Sequence, residues 1–193
     1  MEAGVRERDQ RLLELLTYEV VDGKPIYYRG YKDVLEGKKR PEEVMGSSIL
    51  QAHIVKVIVV FLTREIEPKG YEVLPHEIGV KVGENWRLLD IGIFRKDEIK
   101  EKLQNPTYSE VPPVVAIEVD TKAELENMTF MEYVGEKVKD LFDIGTQRVI
   151  WILTKPRIVM VFERGKEGRI LTWEDEVEVL EGLRFRLSDL VQP

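Results

Sequence analysis

The chain has 193 residues, 43% of them hydrophobic and 34% charged, with a formal net charge of −7. That length suits one domain with a continuous core. The acidic balance excludes binding of nucleic acid through a broad basic surface, though not an enzyme with a local basic rim. No cysteine is present, which removes disulfides and thiolate metal sites, and the two histidines, His53 and His76, are too few for a histidine-rich zinc centre. Any metal must therefore be held by carboxylates, which favours Mg²⁺ or Mn²⁺.

Met1 to Gln10 is charged and polar, unlike a signal peptide. The longest apolar stretch, Ile54 to Leu62, carries Lys56 and is too short to span a bilayer. A cytoplasmic protein without membrane attachment is expected. Val5 to Leu16 reads as a short amphipathic helix, and Tyr18 to Tyr28 as a hairpin turning at Asp22-Gly23. Gly30 to Glu43 reads as polar and irregular. Ser47 or Ser48 is placed to cap a helix running to about Ile66, apolar on most faces and so expected to be largely buried.

Three strands follow in the pattern: Tyr71 to Val82, Arg87 to Arg95 and Val114 to Asp120. The last is apolar on both alternating faces, as a strand covered on two sides should be. A helix from Phe130 to Ile144 starts with a Thr129/Glu132 capping box and stops at Gly145. Arg148 to Leu153 is a further strand, and Arg157 to Glu163 with Arg169 to Trp173 forms a second hairpin around Gly165 and Gly168.

Two carboxylates interrupt apolar strands. Asp90 lies between Leu88-Leu89 and Ile91, and Glu118 between Ile117 and Val119. A carboxylate in such a place is costly unless something offsets its lost hydration. Alternation puts Asp120 on the same face as Glu118, and a divalent cation removes the repulsion such a cluster creates. A buried salt bridge, or a strand end open to solvent, is the plainer alternative, and Asp120 equally fits the start of a loop.

On a wheel of about 100° per residue, Phe130, Tyr133, Val134, Leu141 and Ile144 share one helical face, and Lys137 falls in its middle. A lysine there must either reach past its neighbours to water or meet an anion. Glu77 is a candidate fourth carboxylate, although an outward-facing strand residue is the simpler account. His53 on the first long helix and Lys122, which competes for the role of Lys137, are further candidates, although a core or surface histidine and a solvated loop lysine are the plainer accounts.

These segments resemble the PD-(D/E)XK, or restriction-endonuclease-like, superfamily, and within it the bacterial Uma-two endonuclease-like family. The resemblance rests on Met45-Gly46-Ser47-Ser48 with His53, on Leu89 to Phe94 around Asp90, and on Val115 to Lys122 around Glu118. It continues through Glu136-Lys137 with Gly145 and Val149-Ile150-Trp151. Two positions depart from the superfamily pattern. Leu89 replaces the proline before Asp90, and Asp120 stands where a lysine is expected two positions after Glu118. The Uma-two branch is similar in taking its lysine from the following helix, and the matching position is Lys137.

The resemblance implies an α/β fold with an αβββαβ core, a mixed sheet flanked by helices. It implies one domain, with an N-terminal extension over residues 1–46, a catalytic core over 47–154 and C-terminal strands over 155–193. It further implies an Mg²⁺- or Mn²⁺-dependent endonuclease that hydrolyses nucleic acid, DNA before RNA. Asp90, Glu118 and the backbone carbonyl of Val119 would hold the metal, with Asp90, Glu118 and Lys137 as the catalytic set; Glu77, Asp120, His53 and Lys122 stand as additional candidates from the residue pattern. A homodimer would suit cutting of both strands of a duplex. The alternative is a non-catalytic interaction or scaffold domain that keeps the nuclease fold.

Overall fold

The computed structural model describes residues 2–192. In chain order the elements are α1 (Glu2–Leu15), β1 (Thr17–Val21), β2 (Lys24–Tyr27), α2 (Tyr31–Leu35), α3 (Pro41–Met45), α4 (Ile49–Ile66), β3 (Tyr71–Val82), β4 (Asn85–Arg95), α5 (Lys96–Ile99) and β5 (Val115–Val119). The chain continues with α6 (Phe130–Ile144), β6 (Arg148–Leu153), β7 (Ile158–Glu163), β8 (Arg169–Thr172), β9 (Glu176–Leu180), β10 (Leu183–Arg186) and α7 (Leu187–Leu190).

An eight-stranded sheet runs β2-β1-β4-β5-β6-β7-β8, with β3 on the remaining edge of β4. The β5–β6 pair is parallel and the other pairs are antiparallel, so the sheet is mixed. The expected αβββαβ core is present as α4-β3-β4-β5-α6-β6. One face of the sheet packs Ile91, Ile93, Val115, Ile117, Val119, Ile150 and Ile152 against Ile54, Ile58, Leu62 and Ile66 of α4 and against Val177, Val179 and Phe185 of the C-terminal hairpin. The other face packs Ala116, Val149, Trp151 and Met160 against Tyr133, Val134, Val138 and Leu141 of α6.

Both long helices begin as their sequences imply. Ser48 and Thr129 each accept from the backbone N–H three residues on, while Gln51 and Glu132 reach back to the cap's own N–H. Gly145 ends α6 with φ of 115°, a conformation open to glycine at no steric cost. In the first hairpin, Asp22 and Gly23 both take positive φ, 50° and 70°, as a tight two-residue turn between twisted strands requires.

Three expectations are corrected. Gly30 to Glu43 is not irregular throughout, because α2 and most of α3 form within it, with Pro41 at the first turn of α3. Helix α4 is not buried on most faces. Only the stripe Ile54, Ile58, Leu62 and Ile66 is enclosed, while Ile49 is 90% and Val60 49% exposed. A single sheet covers one face of a helix, whatever the composition of the others. The third correction concerns Asp120. Its φ of 53° ends the alternation after Val119, so it does not share the face of Glu118.

Among the described residues, no helix is long and apolar enough to cross a membrane.

Candidate active site

The site lies where β4 changes partners. Strand β3 pairs with β4 along most of its length, so β1 and β5 must share its other edge. Strand β5 takes Ile91 to Ile93, and β1 is registered only at Trp86. Between them, residues 87–90 of β4 face a fork with no ladder partner on that edge. Backbone groups left bare in a core are costly, and here charged side chains satisfy them. The Leu88 N–H donates to Glu19 Oε2 at 2.9 Å, and the Leu88 carbonyl accepts from Lys137 Nζ at 2.6 Å. On the β5 side of the fork, the Val119 N–H donates to Asp90 Oδ2 at 2.8 Å.

The pairing of Ile91 with Ile117 sets Asp90 opposite Glu118, one step beyond the last paired residues. Glu118 shares the α6 side of the sheet with Ala116, Val149 and Trp151. Lys137 descends onto it from α6, fully enclosed, with Nζ 2.8 Å from Glu118 Oε1 and 2.9 Å from Glu19 Oε2. The rings of Tyr18, Tyr133 and Trp151 surround the ammonium at 5.7, 5.8 and 5.5 Å.

Glu19 is the member that sequence patterns did not single out. It is completely buried, and its Oε1 accepts from the Tyr133 hydroxyl at 2.5 Å and from Arg87 Nη1 at 3.2 Å. Arg87 is held in turn by Asp140 of α6, at 2.9 Å from Nε and 2.8 Å from Nη2. The signal that exposed Asp90 and Glu118, a charge set among Tyr, Val and Leu in a strand, is also present in Tyr18-Glu19-Val20-Val21 and in Trp86-Arg87-Leu88. In so short a hairpin it is masked, because an outward-facing acid gives the same pattern.

The surroundings set the ionisation of each group. Burial pushes Glu118 well above the usual carboxylate range; Lys137 pulls it back and Asp90 adds to the rise. Burial also raises Asp90, against the opposing pull of the Val119 N–H and of Lys137. For Glu19 burial again acts upward, but Lys137, Arg87 and the Tyr133 hydroxyl together outweigh it and the carboxyl ends below its ordinary value. Burial alone would depress Lys137. Glu118 and Glu19 more than offset this and hold the ammonium well above the usual lysine range.

The remaining candidates fall in different places. Glu77 sits on a bulge of β3 and pairs with Lys122, Oε1 to Nζ at 2.5 Å. Asp120 turns away, since its carboxylate accepts from the Thr154 N–H at 2.9 Å and from the Thr154 hydroxyl at 2.6 Å. His53 also points elsewhere, with Nε2 3.4 Å from the Val191 carbonyl near the C-terminus. The helix residue that does reach the site is Gln51, whose amide nitrogen lies 3.4 Å from the Val119 carbonyl.

Among the described residues no three metal-binding side chains come together. The donor set nevertheless suits a hard cation that keeps several waters. Asp90 uses one oxygen for the Val119 N–H, Glu118 Oε1 is buried without a well-aligned hydrogen bond, and the Val119 carbonyl has only the long contact to Gln51.

No protein-family model matches the sequence, and no curated protein matches it either. The fold is shared with a solved structure from Anabaena variabilis described as "a putative nuclease belonging to DUF820". The likeness has a TM-score of 0.65, covers 90% of this chain and 88% of that one, and comes with 17% sequence identity. At that identity the likeness establishes a common fold.

Proposed function

We propose that the protein is a metal-dependent phosphodiesterase that hydrolyses nucleic acid, with DNA favoured over RNA. The observation that carries this is a run of charges through the core. Asp140, Arg87, Glu19, Lys137 and Glu118 alternate in sign from contact to contact, and the run then ends on a second acid, Asp90, opposite Glu118. Two acids meet where the alternation calls for a cation, and a divalent ion would supply that charge and displace the proton that burial favours there. The shared fold of a protein described as a nuclease agrees with this choice of chemistry.

Asp90, Glu118 and the Val119 carbonyl would hold Mg²⁺ or Mn²⁺. Bound there, the cation supplies a water of lowered pKa and neutralises charge on phosphoryl oxygens. Lys137 contributes a fixed positive charge. Its ion pairs with Glu118 and Glu19 and its hydrogen bond to the Leu88 carbonyl leave it no freedom to reorient, which is what electrostatic stabilisation of a transition state requires. Asp90 is the partly exposed member of the group and marks the side from which substrate approaches.

The test is a cleavage assay on single- and double-stranded DNA and RNA with Mg²⁺ or Mn²⁺. Cleavage should need the cation and should fall at least about 100-fold in Asp90→Ala, the scale set by losing a preorganised electrostatic contact. One observation favours a purely structural network: Lys137 and Glu118 are only 0% and 1% exposed. In that case no substrate is cut, and Mn²⁺ does not bind at millimolar concentration.

A further inference from the structure

A second ion pair, Glu77–Lys122, stands near Asp90, and its construction differs from that of Lys137. Glu77 lies in an interruption of β3, where the pairing with β4 slips between Pro75 and Ile78. Both bulge residues, His76 and Glu77, take left-handed backbone conformations, with φ of 81° and 50°. Two consecutive non-glycine residues in that region are costly and persist only when their surroundings hold them there. The bulge releases Glu77 from the ladder and delivers it to Lys122, while the Tyr28 hydroxyl donates to its other oxygen at 3.2 Å.

Among the described residues, Lys122 has, besides Glu77, only a 3.4 Å contact to the Met45 carbonyl. Its side chain is 15% exposed and that of Glu77 25%, so water reaches the pair, whereas Lys137 is sealed. The Lys122 charge also acts on the Asp90 carboxyl, which places it within electrostatic reach of the site. On its far side, Glu77 lines a cavity of about 410 Å³ with Tyr108, Asn105 and Thr107. Glu77 is thus shared between the ion pair and the lining of this cavity.

We infer that Lys122 is a phosphate-gripping residue of the cleft and that Glu77 is its resident counter-ion, displaced when a backbone phosphate of the nucleic acid arrives. This rests on the nucleic-acid reading of the same cleft. Among the described residues Glu77 is the one charged partner of Lys122, and a pair that water reaches is screened and exchanged more readily than a sealed one. Lys137 has no such freedom, which leaves Lys122 to hold the strand beside the scissile bond. Glu77 then works against weak ligands, since a single passing anion must compete with it.

The two residues should act in opposite directions. Binding of a fluorescein-labelled single-stranded oligonucleotide is followed by anisotropy with Ca²⁺ in place of Mg²⁺, over a range of salt, alongside thermal unfolding of each variant. Lys122→Met should weaken binding about 5–10-fold at low salt and reduce the salt slope by about 0.7, the share of one phosphate contact to a single strand. Glu77→Gln should tighten binding. The inference is overturned if both variants bind as the wild type does, or if both weaken binding in step with lost thermal stability. In either case wild-type cleavage would leave the nuclease assignment standing. A wild type that neither binds nor cuts any nucleic acid overturns both.

Discussion

Asp90 and Lys137 contact the same buried acid, yet their removal should move stability in opposite directions. Replacing Lys137 with Met leaves Glu118 buried without a cation and Glu19 with Arg87 alone, and breaking a buried pair in this way costs about 3–5 kcal/mol. Asp90→Asn keeps an oxygen for the Val119 N–H while removing a charge that burial disfavours, so in chelator it should raise the melting temperature. The sign of the pH dependence follows from the direction of the shift. The folded state retains a proton on Asp90 that the unfolded chain gives up, so the stability owed to this residue falls as pH climbs from the ordinary carboxylate range through its raised value. The gain from Asp90→Asn should therefore grow with pH over that interval in paired unfolding curves, and a gain that shrinks would contradict the assignment. Glu19 behaves in the opposite sense. Its lowered value means that its contribution is present above the ordinary carboxylate range and lost in acid.

Helix α6 delivers Lys137 to the buried acids because its apolar stripe fixes its roll. Tyr133, Val134, Val138 and Leu141 are enclosed against the sheet, and Lys137, at the centre of that stripe, has no direction to take but inward. Its N-terminal cap sets where the stripe begins. Thr129→Ala removes the hydrogen bond to the Glu132 N–H and should cost about 1 kcal/mol, read as a fall of about 2–4 °C in a thermal melt of a chain this size. This element was legible from periodicity, capping residues and glycine stop, all local in sequence. So were β3, β4 and β6, and the placing of Asp90 and Glu118 as charges among apolar neighbours. What local pattern could not supply was pairing. That β1 and β5 divide one edge of β4 decides that Glu19 is internal, and nothing near Glu19 in sequence announces it. Asp120 and His53 fail to join the site for the same kind of reason. One residue of left-handed backbone turns Asp120 toward Thr154, and the roll of α4 brings Gln51 rather than His53 toward Val119.

At the scale of the whole molecule, the fold concentrates its buried charge in one continuous run and leaves a net −7 over the chain. Strong binding of polyanions by general attraction is therefore not available to it, and under the proposed function affinity would come from the few cations near Asp90 and from a bound metal. A cation that binds the native state alone stabilises it by about 2.7 kcal/mol at a hundred times its dissociation constant. Mn²⁺ titration should accordingly raise the melting temperature by about 5–10 °C in the wild type and have little effect in Asp90→Asn. An equal rise in both would place the metal elsewhere. The fork in β4 also bears on how an inactive descendant would look. Glu19 and Lys137 stand in for the hydrogen-bonding strand that Leu88 lacks, so a lineage that ceased to cut would still be obliged to keep them or leave the sheet unstitched at its centre. Their survival in a sequence is then no proof of a working enzyme. Asp90 is under a lighter structural obligation, and its loss would be the earlier record of retirement.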